Sequence, residues 1–144
     1  MEIKPQYGFD QLLFGMKKQD VERLYGKPDL IFDDEDDNTI VLYNSLKCRL
    51  TFYADEDFKL GYIIVSNPEA TLWGQKILGS PFSDWKFIFD KKGLQKFETE
   101  RLDSVIHYFN EDYWLLIQEE FAQICKVEIG AIVKDIDTFD WKFK

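Results

Sequence analysis

One histidine, His107, and two cysteines, Cys48 and Cys125, leave this chain short of the residues from which many active sites and metal sites are built. A histidine-assisted nucleophile needs its base within reach of a serine or cysteine, and a single histidine in a strand-like run reads as an ordinary sheet residue. Isolated cysteines and one histidine do not make a zinc-ligand pattern. No G-x-G-x-x-G and no P-loop occurs. No apolar run reaches the roughly eighteen residues that a membrane-spanning helix needs, and MEIKPQYGFD lacks the apolar stretch and small-residue cleavage site of a signal peptide. Clustered positive charge is missing too: 18 Lys and Arg stand against 27 Asp and Glu, a formal net charge of −9. That balance argues against a nucleic-acid surface or an anionic membrane as partner, and is compatible with a basic protein partner or with acidity that merely aids solubility. These absences lead to a chain without catalytic residues, cofactor or metal, read as not an enzyme. Both cysteines lie in apolar strand-like runs and read as buried, reduced thiols, which places the protein in the cytoplasm.

What the chain does contain is apolar bulk. Its 144 residues are 45% hydrophobic, with 13 Phe, 7 Tyr and 4 Trp, enough for one domain with a real core. It also contains the same phrase twice. GMKKQDVERLYGKP (15–28) and GSPFSDWKFIFDKKG (79–93) align with Gly15 on Gly79, a spacing of 64. Asp20 then meets Asp84, Val21 meets Trp85, Leu24 meets Ile88 and Tyr25 meets Phe89. A spacing of 65 lays TIVLY (39–43) over SVIHY (104–108) and RLTF (49–52) over WLLI (114–117). At 64 again, LGYIIV (60–65) lies over ICKVEI (124–129). A period of this length marks a duplicated supersecondary unit.

Each unit reads alike. Val21, Leu24 and Tyr25, and likewise Trp85, Ile88 and Phe89, fall on one helix face, with Gly26-Lys27-Pro28 and Gly93 as stops. Segments around 8–14 and 69–78 are expected to add a further helical turn or two. Strand-like runs follow at about 29–33, 39–44, 48–54 and 58–66, then at about 94–99, 103–110, 113–119 and 122–133. The expected fold is therefore α+β: two tandem repeats of a helical pair followed by an antiparallel four-stranded meander. Residues 1–67 form unit one and 68–144 unit two of one compact domain.

Aligned strand positions share an environment on one register. Leu50 with Leu115, Phe52 with Ile117 and Ile63 with Val127 are apolar in both units and are placed under the helices. The alternate register diverges, with Arg49 against Trp114, Tyr53 against Gln118 and Tyr62 against Lys126, and it points to the other face. Arg49, Tyr53, Tyr62 and Trp114 are thus candidate partner-binding residues on an open sheet face, since Tyr, Trp and Arg are favoured at binding hot spots. The competing possibility is that the C-terminal TFDWKFK covers these aromatics. The G-x-x-x-x-D-apolar-x-x-apolar-aromatic phrases at 15–25 and 79–89, the Gly-Lys-Pro stop and the strands after each resemble the beta-lactamase inhibitory protein fold. They are similar also to the single-unit small lipoproteins of the outer-membrane assembly machinery. The resemblance implies a binding scaffold whose open sheet face grips another protein.

The acidic run Asp33, Asp34, Glu35, Asp36 and Asp37 lacks the central glycine and distal glutamate of an EF-hand loop. It reads either as a solvated hairpin tip or as an acidic contact for a basic partner. Asp55, Glu56 and Asp57 occupy the third hairpin, at the same end of the meander, so the two tips are expected to form one negative rim. Such a rim raises association rate more than affinity. Candidate partner-binding residues here are Asp33, Asp34, Asp36 and Asp37. Together these features point to a non-catalytic, cytoplasmic protein-binding module, most concretely an inhibitor or immunity protein that neutralises a basic toxin or enzyme. The alternative is a small-ligand binder or enzyme with its site in the groove between the repeats.

Overall fold

The computed structural model describes residues 1–144. Thirteen strands and two short helices appear in chain order: β1 (Glu2–Lys4), β2 (Gly8–Phe9), β3 (Leu12–Leu13), α1 (Lys18–Tyr25), β4 (Leu30–Asp33), β5 (Thr39–Tyr43), β6 (Cys48–Tyr53), β7 (Lys59–Val65), β8 (Thr71–Leu72), β9 (Gln75–Lys76), α2 (Lys86–Lys91), β10 (Glu98–Leu102), β11 (Val105–Asn110), β12 (Leu115–Glu120) and β13 (Gln123–Gly130). The large sheet has eight strands in the order β10-β11-β12-β13-β7-β6-β5-β4, and a small sheet runs β3-β2-β1-β8-β9. Side chains from the small sheet and both helices share a core with one face of the large sheet. Ile3, Phe9, Phe14, Leu72, Trp85 and Phe89 pack there with Leu50, Phe52, Ile63, Leu115, Ile117 and Val127.

The fold is predominantly β, and the expected α+β architecture of helical pairs is not formed. Segments 8–14 and 69–78 make the small strand pairs β2–β3 and β8–β9 instead of helix. Asp10 and Trp73 take φ of 56° and 50° at the turns of these pairs, a conformation no helix contains. Each half keeps a single helix of eight or six residues. A helix that short is marginal alone and depends on packing. In α1 only Val21 is buried, and Leu24 stands 42% exposed rather than in the core.

The register of the large sheet repeats at fixed spacings. The two central strands pair Ile63 with Ile129 and Val65 with Val127, so a spacing of 64 maps each pair onto the other. Gly15 donates to the Leu60 carbonyl while Gly79 donates to that of Ile124, and Leu60 donates to Met16 while Ile124 donates to Ser80. Leu50 pairs with Ile63, and Ile117 pairs with Val127. Across β6 and β12 the spacing is therefore 67, from Leu50 to Ile117, and not 65. The two-residue slip leaves strand parity intact, so the core face stays the core face. It changes the partners, however: the equivalent of Trp114 is Lys47, and both take φ near +49°, at 49° and 48°. Bulges recur as well, between Thr51 and Phe52 and between Gln118 and Glu119.

The halves differ in their loops. Five residues, Ala54 to Phe58, connect β6 to β7, whereas Phe121 and Ala122 alone connect β12 to β13. Both connections end on two consecutive left-handed residues, Asp57-Phe58 and Phe121-Ala122. The first half thus carries three extra residues, which form the 3-10 turn Ala54–Glu56.

Candidate functional site

The face of the large sheet opposite the core carries a continuous cross-strand row: Leu30, Leu42, Arg49, Ile64, Glu128, Leu116, Phe109 and Glu98. Apolar members border charged ones, so the face is neither a core nor an ordinary solvated surface. Arg49 is exposed there, with its guanidinium 5.6 Å from the Phe32 ring centroid. Together with Leu42, Ile64 and Lys126 it lines a shallow recess of about 410 Å³. Tyr62 is half-buried in the next row and donates to Glu128 Oε1 at 2.6 Å. Burial and that neighbouring carboxylate hold the Tyr62 hydroxyl well above the usual phenol range.

Two aromatics lean over glycines. The Tyr53 ring covers Gly61, where an added Cβ would lie 2.1 Å from the ring, and the Trp114 indole covers Gly130, where it would lie 2.2 Å away. Trp114 remains 41% exposed, with Phe109 edge-on at 5.1 Å. It sits in the turn before β12 rather than inside a strand. Tyr53 is covered further by the C-terminal segment, whose Phe139 ring lies 5.9 Å away. Burial raises its hydroxyl pKa. The tail therefore covers Tyr53, while Trp114 keeps open surface.

Tyr53 also lines a groove of about 620 Å³. One wall is the β4–β5 hairpin tip, with Asp36, Asp37 and Asn38. A second is the inserted turn, with Asp55 and Glu56, and a third is the tail, with Val133, Ile136, Asp137 and Phe139. The two hairpin tips are tied directly, the Ala54 N–H donating to Asn38 Oδ1 at 2.9 Å. Every ion pair of the protein lies elsewhere, at Asp10, Asp20, Glu22, Asp57, Glu69 and Asp140. The carboxylates of the groove thus form no ion pair within the protein, and Ile136, 96% exposed, offers an apolar edge beside them.

The four aspartates of the first tip have different roles. Asp34 accepts from the Asp36 and Asn38 N–H groups, both at 2.9 Å, and from Asn38 Nδ2 at 3.2 Å. Desolvation works against its charged form, yet those donors win and hold its pKa below the usual carboxylate range. Asp34 shapes the turn. Asp36 and Asp37 line the groove, and Asp33 closes the exposed edge strand β4. The structure thus brings Tyr53 together with Asp36 and Asp37, and leaves Arg49, Tyr62 and Trp114 on the neighbouring sheet face. The tail wall of the groove is the C-terminal segment that the sequence offered as a competing cover for these aromatics, and it covers Tyr53. Its one signal is the aromatic alternation in TFDWKFK, since Phe139, Trp141 and Phe143 all pack against the core.

Elsewhere, no group of three or more His, Cys, Asp or Glu side chains is placed to hold a metal ion. No helix is long and apolar enough to cross a membrane. Cys48 and Cys125 are both free thiols.

No protein-family model matches the chain, and no curated protein matches it in sequence. In fold it is similar to a solved structure, the 1.5 Å crystal structure of an extracellular protein containing an SCP domain from Bacillus anthracis str. Ames. The TM-score is 0.50 at 13% identity, over 79% of this chain and 42% of that one. The chain spans less than half the length of that protein, and the likeness is one of fold alone. With the β-rich architecture, it overturns the resemblance to the beta-lactamase inhibitory protein fold.

Proposed function

We propose that this protein is a non-catalytic protein-binding module that captures a basic partner through the acidic groove and the adjoining outer face of the large sheet. The observation that carries this reading is the inserted turn. Asp55 and Glu56 sit in three residues that the other half of the molecule does without. The same hairpin closes there with Phe121 and Ala122 alone, so folding does not require the insertion. Acidic residues added at a site dispensable for the fold, beside a second acidic tip and an exposed Ile136, make a surface for a cation-bearing chain. The net charge of −9 extends the attraction beyond contact range. Trp114 and Arg49 supply the residue types that contribute most when desolvated at an interface. Capture of this kind would mask the partner's basic surface and inhibit it. We further place the protein in a reducing compartment, which its two unpaired thiols support.

The test is affinity capture from the native cell with the wild-type chain and with a variant carrying Asp36→Asn, Asp37→Asn, Asp55→Asn and Glu56→Gln. A basic protein enriched by the wild type and lost with the variant is the expected result. Equal recovery by both chains would rule out the groove.

A further inference from the structure

The two outer edges of the large sheet are equivalent by the repeat and oppositely built. β10 (ETERL) closes one edge with Glu98, Glu100 and Arg101, charges of the kind that keep an edge from pairing with another chain. β4 (LIFD) closes the other with Leu30, Ile31 and Phe32, which are 50%, 43% and 38% exposed. Side chains alternate along a strand, so Leu30 and Phe32 stand on the outer face and Ile31 on the opposite one. β4 pairs with β5 alone. Its other side therefore presents unpartnered backbone N–H and C=O groups between apolar side chains, the arrangement onto which an extended chain adds as a further strand.

Charge selects what adds. Asp29 precedes β4, and Asp33 with Glu35, Asp36 and Asp37 follows or ends it, so the apolar edge has acidic ends. A second copy laid antiparallel along β4 would bring Asp29, Asp33 and Asp34 of each chain against those of the other, and like charges facing across strands are destabilising. We infer that β4 is a strand-addition edge for an extended segment of a partner protein, apolar at its centre and carrying Lys or Arg at its ends. This rests on the protein-binding reading above and states which part of the partner docks and how. The added strand hydrogen-bonds along β4 while its terminal cations meet Asp33 and the acidic tip.

The probe is a soluble peptide of about eight residues, alternating Val and Ile at its centre with two Lys at each end, titrated into the full chain and followed by amide NMR. The expected result is saturable shifts centred on Leu30–Asp33. Binding should weaken at least about tenfold for the same peptide N-methylated at alternate positions, for a Glu-ended version, and for Ile31→Lys. Ile31 is exposed, and an unchanged melting temperature of that variant would show that its fold is kept. Shifts absent from β4, binding indifferent to N-methylation, or a wild-type dimer whose β4 amides are protected would each overturn the inference. Capture of a basic protein that persists in Ile31→Lys would sink the edge while leaving the groove reading intact. Loss of capture only in the groove variant would do the same.

Discussion

Glu119 holds, in the second half of the large sheet, the position that Phe52 holds in the first. Phe52 follows a bulge and pairs with Leu60; Glu119 follows the equivalent bulge and pairs with Ile124. Both are buried, at 1% and 7% exposure. The carboxylate is tolerated because it is fully engaged: Oε2 accepts the Phe82 N–H at 2.7 Å and Oε1 the Tyr108 hydroxyl at 3.1 Å. It thereby anchors the 3-10 turn Phe82–Asp84, whose Phe82 ring stacks on Tyr108 with centroids 3.7 Å apart.

Glu119→Ala should therefore destabilise by about 1–3 kcal/mol, the cost of leaving a buried donor unpaired. Phe52→Ala should cost more, roughly 3–5 kcal/mol, through the cavity it opens. Urea titrations of both variants check the order. A loss below about 1 kcal/mol for Phe52→Ala would show that this ring is not packed as described.

Gly130→Ala should push the Trp114 indole from its place, since the new methyl would lie 2.2 Å from the ring. A destabilisation of about 1–3 kcal/mol is expected from such overpacking, with a changed near-ultraviolet circular dichroism signal. In a Trp114→Ala background the same substitution should cost much less. Additive costs in this double-mutant cycle would mean that the ring and the glycine do not interact.

The Cys48 thiol is pushed up to about 12 by desolvation. The unfolded chain releases that proton at an ordinary thiol value near 8.5, so above that pH the unfolded state binds fewer protons than the folded one. Stability should fall as pH climbs through the window from about 8.5 to 12, by up to about 1.4 kcal/mol per pH unit from this group. Cys48→Ala should flatten that part of the curve in denaturant titrations. An identical slope in both chains would show that Cys48 is not responsible.

Asp34 runs the other way. Its depressed pKa makes its contribution to the hairpin present above the usual carboxylate range and lost as pH falls through the folded value. Asp34→Ala should speed amide exchange at Asn38, whereas Asp37→Asn should leave it unchanged. Equal effects would mean that the turn does not depend on the Asp34 oxygens.

Much of the duplication was legible because glycines and core residues must recur where backbone geometry recurs: Gly15 with Gly79, Val21 with Trp85, Leu60 with Ile124. The loops hid the rest. Gly93 to Phe97 lengthen the connection before β10, and because Leu94 is buried and Phe97 packs on the core, those loop residues read as a strand. The true edge strand ETERL is exposed throughout and has no apolar pattern to find. The shorter third hairpin of the second half then restores the spacing of 64, so an alignment by apolar type alone slips by two residues in between. Segment 8–14 is strand and not helix because apolar residues three and four apart, as in Phe9, Leu12 and Leu13, also suit a tight strand pair when Gly8 and Asp10 accept positive φ. The acidic rim was readable from charge runs. Its apolar tail wall was legible only as one of two alternatives, from the aromatics of TFDWKFK, because nothing local tells where a terminal segment will dock.

Hydrogen–deuterium exchange on the complex with the captured basic partner tests the central claim most directly. Protection is expected at residues 30–38, at 54–58 and along the outer-face strands, with the helices unchanged. Protection confined to α1 and α2, on the opposite side of the large sheet, would contradict it.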